Sequence, residues 1–147
     1  MTSFSIRPAT LNDLPAIYEF ITGLTGQQFD KDRFAACFEQ CITAADNCYM
    51  VAEADDKVAG YISCHGQVIL HHCGMVYEIQ EMYVDEAYRS QGIGAQLLAR
   101  LEEVIGAEHY ELLEVSSNMR RKDAHRFYLR HGFEHTTYKF KKDAGGG

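Results

Sequence analysis

The fold of this chain is decided by one stretch, Tyr88-Arg89-Ser90-Gln91-Gly92-Ile93-Gly94-Ala95, which lies between an apolar strand-like run and a long amphipathic pattern typical of a helix. Two glycines one residue apart let the backbone turn tightly and approach a ligand closely. A helix that begins there directs its unpaired N–H groups and the positive end of its dipole into the loop. The stretch therefore predicts an anion site, and a pyrophosphate fits it best.

Two common nucleotide loops do not match this stretch. A dinucleotide fingerprint needs a third glycine where the chain has Leu97, and a P-loop needs Gly-Lys-Ser/Thr, which is absent from the sequence. A glycine-rich helix start without any ligand is the structural alternative. The pattern that does match is Arg/Gln-x-x-Gly-x-Gly/Ala, at residues 89–94, after a strand that ends at Met82-Tyr83-Val84.

This combination resembles the acetyl-coenzyme A (acetyl-CoA) loop of the GNAT acetyltransferase superfamily. The resemblance implies an acetyl-CoA-dependent enzyme that holds its cosubstrate with the end of one strand and the following loop. The residues it assigns to cofactor binding there are Met82, Tyr83, Val84, Arg89, Ser90, Gln91, Gly92, Ile93, Gly94 and Ala95.

Length and charge restrict the classes of protein. The chain has 147 residues, which predicts one domain over residues 1–142 and a disordered tail over residues 143–147. A net charge of −7 without a basic cluster argues against nucleic acid or an anionic membrane as a partner. The sequence shows no apolar signal core, and its five cysteines contain no Cys-x-x-Cys pair. We expect a cytoplasmic protein with reduced thiols, and the sequence leaves a monomer and a homodimer open.

The hydrophobic pattern predicts helices on both sides of the glycine loop. A first helix begins at its cap Thr10 and ends near Thr22, before Gly23 and Gly26, and Asp30 caps a second helix. A helix of about fourteen residues follows the loop, because apolar residues recur there at helical spacing. A last helix covers residues 123–130, with Asp123 as its cap and Gly132 after its end.

Strand-like segments complete the pattern. Two of them are joined by a short acidic turn and predict an antiparallel hairpin, and the strand after the loop helix is predicted to run parallel to the one before it. The apolar alternation breaks at Gln80 and Glu81, which predicts a β-bulge that opens a cleft. The predicted strands cover residues 4–7, 48–52, 58–63, 76–84, 112–116 and 133–140.

The GNAT resemblance also implies a fold class. It is a mixed α/β fold with a central, mostly antiparallel sheet that contains a splayed pair of parallel strands and is flanked by helices. The pattern of segments is consistent with that architecture.

Transfer of an acetyl group to an amine requires a base for the ammonium and a proton for the departing thiolate. Glu78, just before the suspected bulge, resembles the glutamate that acts as general base in several members of the superfamily, and Glu81 is the second candidate. A solvent-facing carboxylate is the alternative for Glu78, and a purely structural role is the alternative for Glu81.

Residues 127–133, Phe-Tyr-Leu-Arg-His-Gly-Phe, resemble the common ending of the superfamily, aromatic-Tyr-x-x-x-Gly-Phe. The resemblance implies that Tyr128 protonates the departing thiolate, whereas a helical tyrosine with a packing role is the alternative. It also places Asn118, Asp123 and Phe127 beside the cofactor. A turn-forming asparagine is the competing explanation for Asn118.

A narrower resemblance covers nearly the whole chain. Residues 7–10, His71-His72, residues 78–81 and above all residues 121–130 look like the bacterial aminoalkylphosphonate N-acetyltransferases, with Lys122 as a departure. This implies direct transfer of acetyl to the primary amine of a small aminoalkylphosphonate, with dependence on a divalent metal. One of the two histidines together with Glu78 is the predicted metal site, and two turn histidines without a metal are the alternative. A protein or peptide N-acetyltransferase and a non-catalytic acyl-CoA sensor are the rival functions.

Overall fold

A computed structural model describes residues 3–145. Gly146 and Gly147, which belong to the predicted tail, lie outside the described residues. The chain divides into two compact units, with the boundary in the sequence between Glu114 and Val115, and the prediction of one domain over residues 1–142 stays a prediction. The elements are β1 (Ser5–Pro8), α1 (Leu14–Thr25), α2 (Lys31–Thr43), β2 (Asn47–Ala54), β3 (Lys57–Ile69), β4 (Gly74–Val84), α3 (Ile93–Ile105), β5 (Leu112–Val115) and α4 (Lys122–Arg130).

The strands form one five-stranded sheet in the order β1-β2-β3-β4-β5. The first four strands are antiparallel to their neighbours. Asp55 and Asp56 join β2 to β3, and both have positive φ angles, 55° and 60°, which suit a two-residue hairpin turn. The predicted hairpin is therefore confirmed, although β3 continues beyond its predicted end to Ile69.

The predicted bulge in β4 is confirmed. Ser63 of β3 is opposite Glu81 and Cys64 is opposite Ile79, so Gln80 is an extra residue without a partner on β3. One extra residue shifts the alternation of side chains between the two faces of a strand. Because of the bulge, side chains three residues apart across Gln80 lie on the same face of the sheet.

The two faces of the sheet pack against different helices. On one face, α1 and α2 form a core with the sheet that contains Ile17, Phe20, Phe38, Val51 and Tyr61. On the other face, the Cα of Gly60 approaches α3 so closely that a Cβ there would lie 3.0 Å from Ile93 and 3.3 Å from Leu97. The fully buried side chains that follow Gly60 on this apolar face of β3 and β4 are Ile62, Cys64 and Ile79.

The N-terminal helices follow the sequence prediction with two corrections. Thr10 caps a 3-10 turn, Leu11–Asp13, and α1 begins after that turn, at Leu14. The helix that follows Thr10 does not end near Thr22, because Gly23 lies inside α1 and the helix continues to Thr25. A Cβ at Gly23 would lie 2.9 Å from the hydroxyl of Tyr83, so this glycine provides space for the sheet rather than a helix end. Gly26, with φ +71°, ends α1 as predicted. Asp30 caps α2 as predicted by accepting the backbone N–H of Arg33.

The C-terminal unit departs from the prediction at two points. Asp123 is not the cap of α4, because the helix begins at Lys122 and the Asp123 carboxylate pairs with the side chain of Arg126 instead. Residues 133–140 form no strand, so the predicted last hairpin or edge strand is wrong. The segment alternates in sequence, but no strand in the described part of the chain pairs with it. The side chains of Tyr138 and Phe140 are exposed. Gly132, with φ +92°, follows the end of α4 as predicted.

No helix among residues 3–145 is both long and apolar enough to span a membrane.

Candidate active site

A cluster of hydroxyl groups holds the carboxylate of Glu81 beside the bulge. Oε1 of Glu81 accepts hydrogen bonds from Ser63 Oγ at 2.6 Å and from Tyr61 Oη at 3.0 Å. The backbone N–H of Glu81 donates to the same Ser63 Oγ at 3.1 Å. Burial, followed by the charge of Glu81, raises the pKa of Tyr61 well above its ordinary value, so Tyr61 keeps the proton that it donates. The cluster fixes both the backbone and the side chain of Glu81.

Glu78 lies on the same face of the sheet as Glu81. Glu78 is opposite His65, Glu81 is opposite Ser63, and His65 and Ser63 are two residues apart on β3. In an unbroken strand, residues three apart would point to opposite faces, so the bulge at Gln80 is what brings the two carboxylates together. The Glu78 carboxylate is half-buried and contacts the Gln80 side-chain amide at 3.3 Å.

A third polar pair lies on this face. The hydroxyl of Tyr49 on β2 is 2.6 Å from Nε2 of His65 on β3. Sequence reasoning did not assign Tyr49, Tyr61, Ser63 or His65 to the site. The available signal was the spacing of two between Tyr61, Ser63 and His65 in a strand that is otherwise apolar, since this spacing puts a hydroxyl, a hydroxyl and an imidazole on one face.

The glycine loop provides free backbone donors. Ser90 and Gly92 have positive φ angles, 65° and 82°, and α3 begins directly afterwards without a side-chain cap. Among the described residues, none accepts a hydrogen bond from the backbone N–H of Ile93, Gly94 or Ala95. A Cβ at Gly92 would meet no atom within 4 Å, so space is open beside the loop.

The side chain of Gln91 adds one polar group to the loop. Its Oε1 is buried without a hydrogen-bond partner in the described part of the chain. A buried polar atom of this kind costs free energy unless a ligand or water satisfies it. These features fit a ligand that brings both an anion for the N–H groups and a donor for the amide oxygen.

Two of the residues predicted to bind the cofactor, Tyr83 and Arg89, also make packing contacts at the end of β4. Arg89 Nε donates to the carbonyl oxygen of Val84 at 2.8 Å, and its guanidinium lies 5.1 Å from the ring centroid of Tyr83. The Tyr83 ring also stacks on Phe20 at 5.2 Å. Arg89 and Tyr83 therefore brace the loop against α1, which leaves Met82 as the member of the predicted group without an assigned packing role.

The C-terminal unit contains the predicted proton donor. Tyr128 is 8% exposed, and its ring makes edge contacts with Phe127 and Phe133 at 5.5 Å. Burial raises the pKa of Tyr128 above its ordinary value, while the charge of Arg121 opposes the shift. The phenol therefore keeps its proton at neutral pH and can donate it.

Asn118 makes the contacts of a turn residue. Its Oδ1 accepts the backbone N–H of Arg120 at 2.9 Å, and its carbonyl oxygen contacts Nε2 of His125 at 2.8 Å. The turn-forming explanation thus accounts for Asn118 within this unit, and its contact with a cofactor stays a prediction. The same holds for Asp123 and Phe127, whose described contacts are with Arg126 and with neighbouring rings of α4.

The model of the acetyltransferase (GNAT) domain matches residues 45–135. The chain belongs to the GNAT acetyltransferase family. It is 39% identical over 137 residues to the aminoalkylphosphonate N-acetyltransferase of Salmonella typhimurium, which covers 93% of this chain and 89% of that protein. The similarity to glucosamine 6-phosphate N-acetyltransferase 1 of Oryza sativa is 28% identity over 69% of this chain and 65% of that protein.

Solved GNAT structures share the fold. An aminoglycoside N-acetyltransferase, AAC(6')-Iy, in complex with CoA has a TM-score of 0.84 at 16% identity, covering 99% of this chain and 97% of that one. Glucosamine-6-phosphate N-acetyltransferase of Arabidopsis thaliana has a TM-score of 0.80 at 20% identity, covering 96% and 98%. The predicted GNAT fold is confirmed, and so is the interpretation as an acetyl-CoA-dependent N-acetyltransferase.

The donor set for a metal is incomplete in this GNAT chain. His71 and His72 lie in one short 3-10 turn, and their ring centroids are 4.3 Å apart. Within residues 3–145, no group of three or more His, Cys, Asp or Glu side chains could hold an ion together. Two imidazoles alone do not form the ligand set of a resident metal site, so we derive no catalytic step through a metal.

Proposed function

We propose that this enzyme transfers the acetyl group of acetyl-CoA directly to the primary amine of a small aminoalkylphosphonate. The observation that carries the proposal is the 39% identity to the Salmonella enzyme over 93% of the chain. The paired carboxylates support the acetylation of an amine, because an amine that arrives as an ammonium ion needs a base.

In this proposal, each part of the site has one task. Acetyl-CoA supplies the acetyl thioester, and the backbone N–H groups of Ile93, Gly94 and Ala95 bind its pyrophosphate. Glu78 removes a proton from the ammonium, directly or through one water molecule. Glu81 fixes the bulge and adds a second negative charge that attracts the ammonium. Tyr128 Oη donates the proton that the departing thiolate needs.

Glu78 is preferred over Glu81 as the base because two hydroxyl groups hold the Glu81 carboxylate beside the bulge. Oε1 of Glu81 is occupied by Ser63 and Tyr61, and the same serine binds its backbone. A carboxylate held by these hydrogen bonds is suited to act as a fixed negative charge. Glu78 lies on the same face beyond the bulge, and its half-buried carboxylate contacts the side-chain amide of Gln80 at 3.3 Å.

A substrate panel tests this proposal. Purified enzyme receives acetyl-CoA and one of five acceptors: aminomethylphosphonate, aminoethylphosphonate, a neutral alkylamine, a hexosamine phosphate or a short peptide with a free amino terminus and a lysine. Thiol release gives the rate, and mass spectrometry of the product gives the acetylated group. We expect kcat/KM for an aminoalkylphosphonate to exceed that for the alkylamine of equal length by at least about tenfold, the value of one good polar contact.

Two results would overturn the assignment. Preferred acetylation of the peptide would indicate a protein N-acetyltransferase, and preferred acetylation of the hexosamine phosphate would move the substrate to amino sugars. Each rate is also measured with and without a chelator. A loss of aminoalkylphosphonate activity that an added divalent cation restores would support the metal dependence, whereas chelator-insensitive turnover would remove it.

A further inference from the structure

The Tyr49–His65 pair has no role in the mechanism above, although it faces the same side of the sheet as both carboxylates. The Tyr49 hydroxyl lies 2.6 Å from Nε2 of His65. Burial raises the pKa of Tyr49 far above its ordinary value, and Cys41 and the charge of Glu81 add to the shift. Tyr49 therefore remains a neutral phenol at any working pH, and it acts as a fixed hydrogen-bond partner rather than as a titrating group.

Packing fixes the position of the Tyr49 ring. The ring lies 6.3 Å from Phe38 and 6.1 Å from Tyr61, measured between ring centroids, and both of these residues belong to the buried core. A hydrogen bond from a fixed partner sets the tautomer and the orientation of an imidazole. Since Tyr49 occupies Nε2, Nδ1 of His65 is the atom left for exchange, and it can accept a proton in the tautomer whose Nε2–H donates to the Tyr49 oxygen.

The register of the sheet puts Glu78 directly across from His65. Side chains directly opposite each other in an antiparallel pair have Cβ atoms about 4.5–5.5 Å apart. The titratable or charged groups that face the pair are Glu78 and Glu81 from β4, Tyr61 from β3, Tyr49 itself from β2 and Cys41 from α2. A proton that reaches His65 thus lies near two carboxylates.

We propose that His65, oriented by Tyr49, is a positioning residue for amine activation, which aligns the Glu78 carboxylate and accepts the proton that Glu78 removes from the substrate. An N–H bond of the ammonium breaks as an O–H bond forms on Glu78. That O–H bond then breaks as an N–H bond forms on His65, and the imidazolium releases the proton to water. The inference rests on the proposed role of Glu78 in acetylating a small amine.

A pH series of kcat/KM tests this step. His65→Gln keeps a group that can hydrogen-bond Tyr49 but cannot accept the proton, and His109→Gln, at an exposed position, is the matched control. With the best acceptor of the panel, we expect His65→Gln to lose about tenfold at neutral pH and to approach the wild-type enzyme at alkaline pH, where the amine arrives without its extra proton. Tyr49→Phe should show a smaller loss with the same pH trend.

Two kinetic outcomes would overturn the proposal. An equal loss at every pH would mean that His65 only supports the structure, and a wild-type profile would mean that it has no role. The kinetic data distinguish a failure of the substrate assignment from a failure of the role proposed for His65. If the enzyme acetylates another amine and the His65→Gln profile converges at alkaline pH, the substrate assignment fails while the role of His65 stands.

A measurement without substrate tests whether the His65 imidazole senses the Glu78 carboxylate. Nitrogen NMR of the imidazole ring follows His65 in the wild-type enzyme, in Glu78→Gln and in Glu103→Gln, a control on the exposed side of α3. We expect the His65 ring signals, assigned by their loss in His65→Gln, to shift in Glu78→Gln and to stay in place in Glu103→Gln. Unchanged His65 signals in Glu78→Gln would show that the imidazole does not sense this carboxylate, and the proposal would fall.

Discussion

The bulge in β4 and the glycine loop after it lie on the same segment of chain, yet they supply chemistry in different ways. The bulge acts through side chains, because one extra residue at Gln80 brings Glu78 and Glu81 to one face. The loop acts through its backbone, because Gly92 has a positive φ and the following N–H groups are free within the described residues. We therefore expect the bulge to respond to isosteric changes of side chains, and the loop to respond to any added Cβ.

The largest effect is expected at the bulge, from Glu78→Gln. The amide keeps the size of the side chain but cannot accept the proton of the ammonium, so kcat/KM should fall by roughly a hundredfold or more at neutral pH. The loss should shrink at alkaline pH, since a free amine needs no base. Affinity for acetyl-CoA, measured by calorimetry, should not change.

The variant Glu81→Gln distinguishes the role of Glu81 from that of Glu78. If Glu81 fixes the bulge and attracts the ammonium without accepting its proton, this variant should raise KM for the amine at neutral pH, where the amine is charged, and kcat at saturating amine should fall by a similar factor at every pH. A Glu78→Gln enzyme with the pH dependence of the wild type, together with an alkaline rescue of kcat in Glu81→Gln, would transfer the role of base to Glu81.

The second effect concerns the loop, and the chain offers a matched control for it. Gly92 and Gly26 have similar φ angles, +82° and +71°, and a Cβ on either would meet no atom within 4 Å. Alanine at either position therefore costs about the same backbone strain, roughly 1–2 kcal/mol. Only Gly92→Ala places the methyl group at the predicted pyrophosphate site.

We expect Gly92→Ala to weaken acetyl-CoA binding by at least about tenfold, the value of one lost hydrogen bond to a charged group. Both variants should lower the free energy of unfolding by the same roughly 1–2 kcal/mol of backbone strain. Gly26→Ala should leave the dissociation constant of acetyl-CoA unchanged. Calorimetry and urea unfolding measure the two quantities. Equal dissociation constants for the two variants would contradict the assignment of the loop.

The same comparison explains how much could be predicted from the sequence. The loop and the bulge were both predicted, because each is encoded by a local pattern: Gly-x-Gly before an apolar helix, and two polar residues in an alternating strand. The hydroxyl cluster around Glu81 was missed, because Ser63 is eighteen residues away in sequence and reaches Glu81 only through the register of β3 and β4.

The cap of α4 and the predicted last strand are two features for which the sequence prediction was wrong. The cap of α4 was misassigned because Asp123 has a competing ionic partner one turn later, which no capping pattern reveals. The alternation in residues 133–140 satisfies the pattern of a strand, but a strand also needs a neighbour to pair with. Local patterns thus predicted the loop that precedes α3 and the position of the bulge, whereas partners set by tertiary contacts were not predictable.

The third effect tests Tyr128, which lies outside both regions. Tyr128→Phe keeps the buried ring and removes only the hydroxyl, so kcat should fall by roughly tenfold while affinity for acetyl-CoA stays the same. Because burial raises the pKa of Tyr128, the wild-type phenol should keep its proton, and its contribution to the rate, past pH 10. Tyr138→Phe, at an exposed tyrosine, is the control. Equal kcat values in Tyr128→Phe and the wild type would remove Tyr128 from the mechanism.

The smallest effect is expected behind the bulge, where Cys64 lies on the apolar face opposite to Glu78. Burial, with smaller contributions from Cys48 and Glu78, raises the pKa of Cys64 to about 12. In the unfolded chain, this thiol ionises near its ordinary value of about 8.5. Between these two values the unfolded state binds fewer protons than the folded state, so the free energy of unfolding should fall as the pH rises.

Cys64→Ala should remove this part of the pH dependence. Between pH 9 and pH 10, below the ordinary range of tyrosines, the slope of the free energy of unfolding should become less negative by at most about 1.4 kcal/mol per pH unit. Urea unfolding at pH 8, 9 and 10 under reducing conditions measures the slope, and Cys37→Ala, at an exposed cysteine, is the control. Equal slopes for Cys64→Ala and Cys37→Ala would mean that the thiol behind the bulge ionises as readily in the folded protein, and that the apolar face is open to water there. A flatter slope for Cys64→Ala alone would show that this thiol is shielded from water in the folded protein, on the face of the sheet opposite to the candidate base.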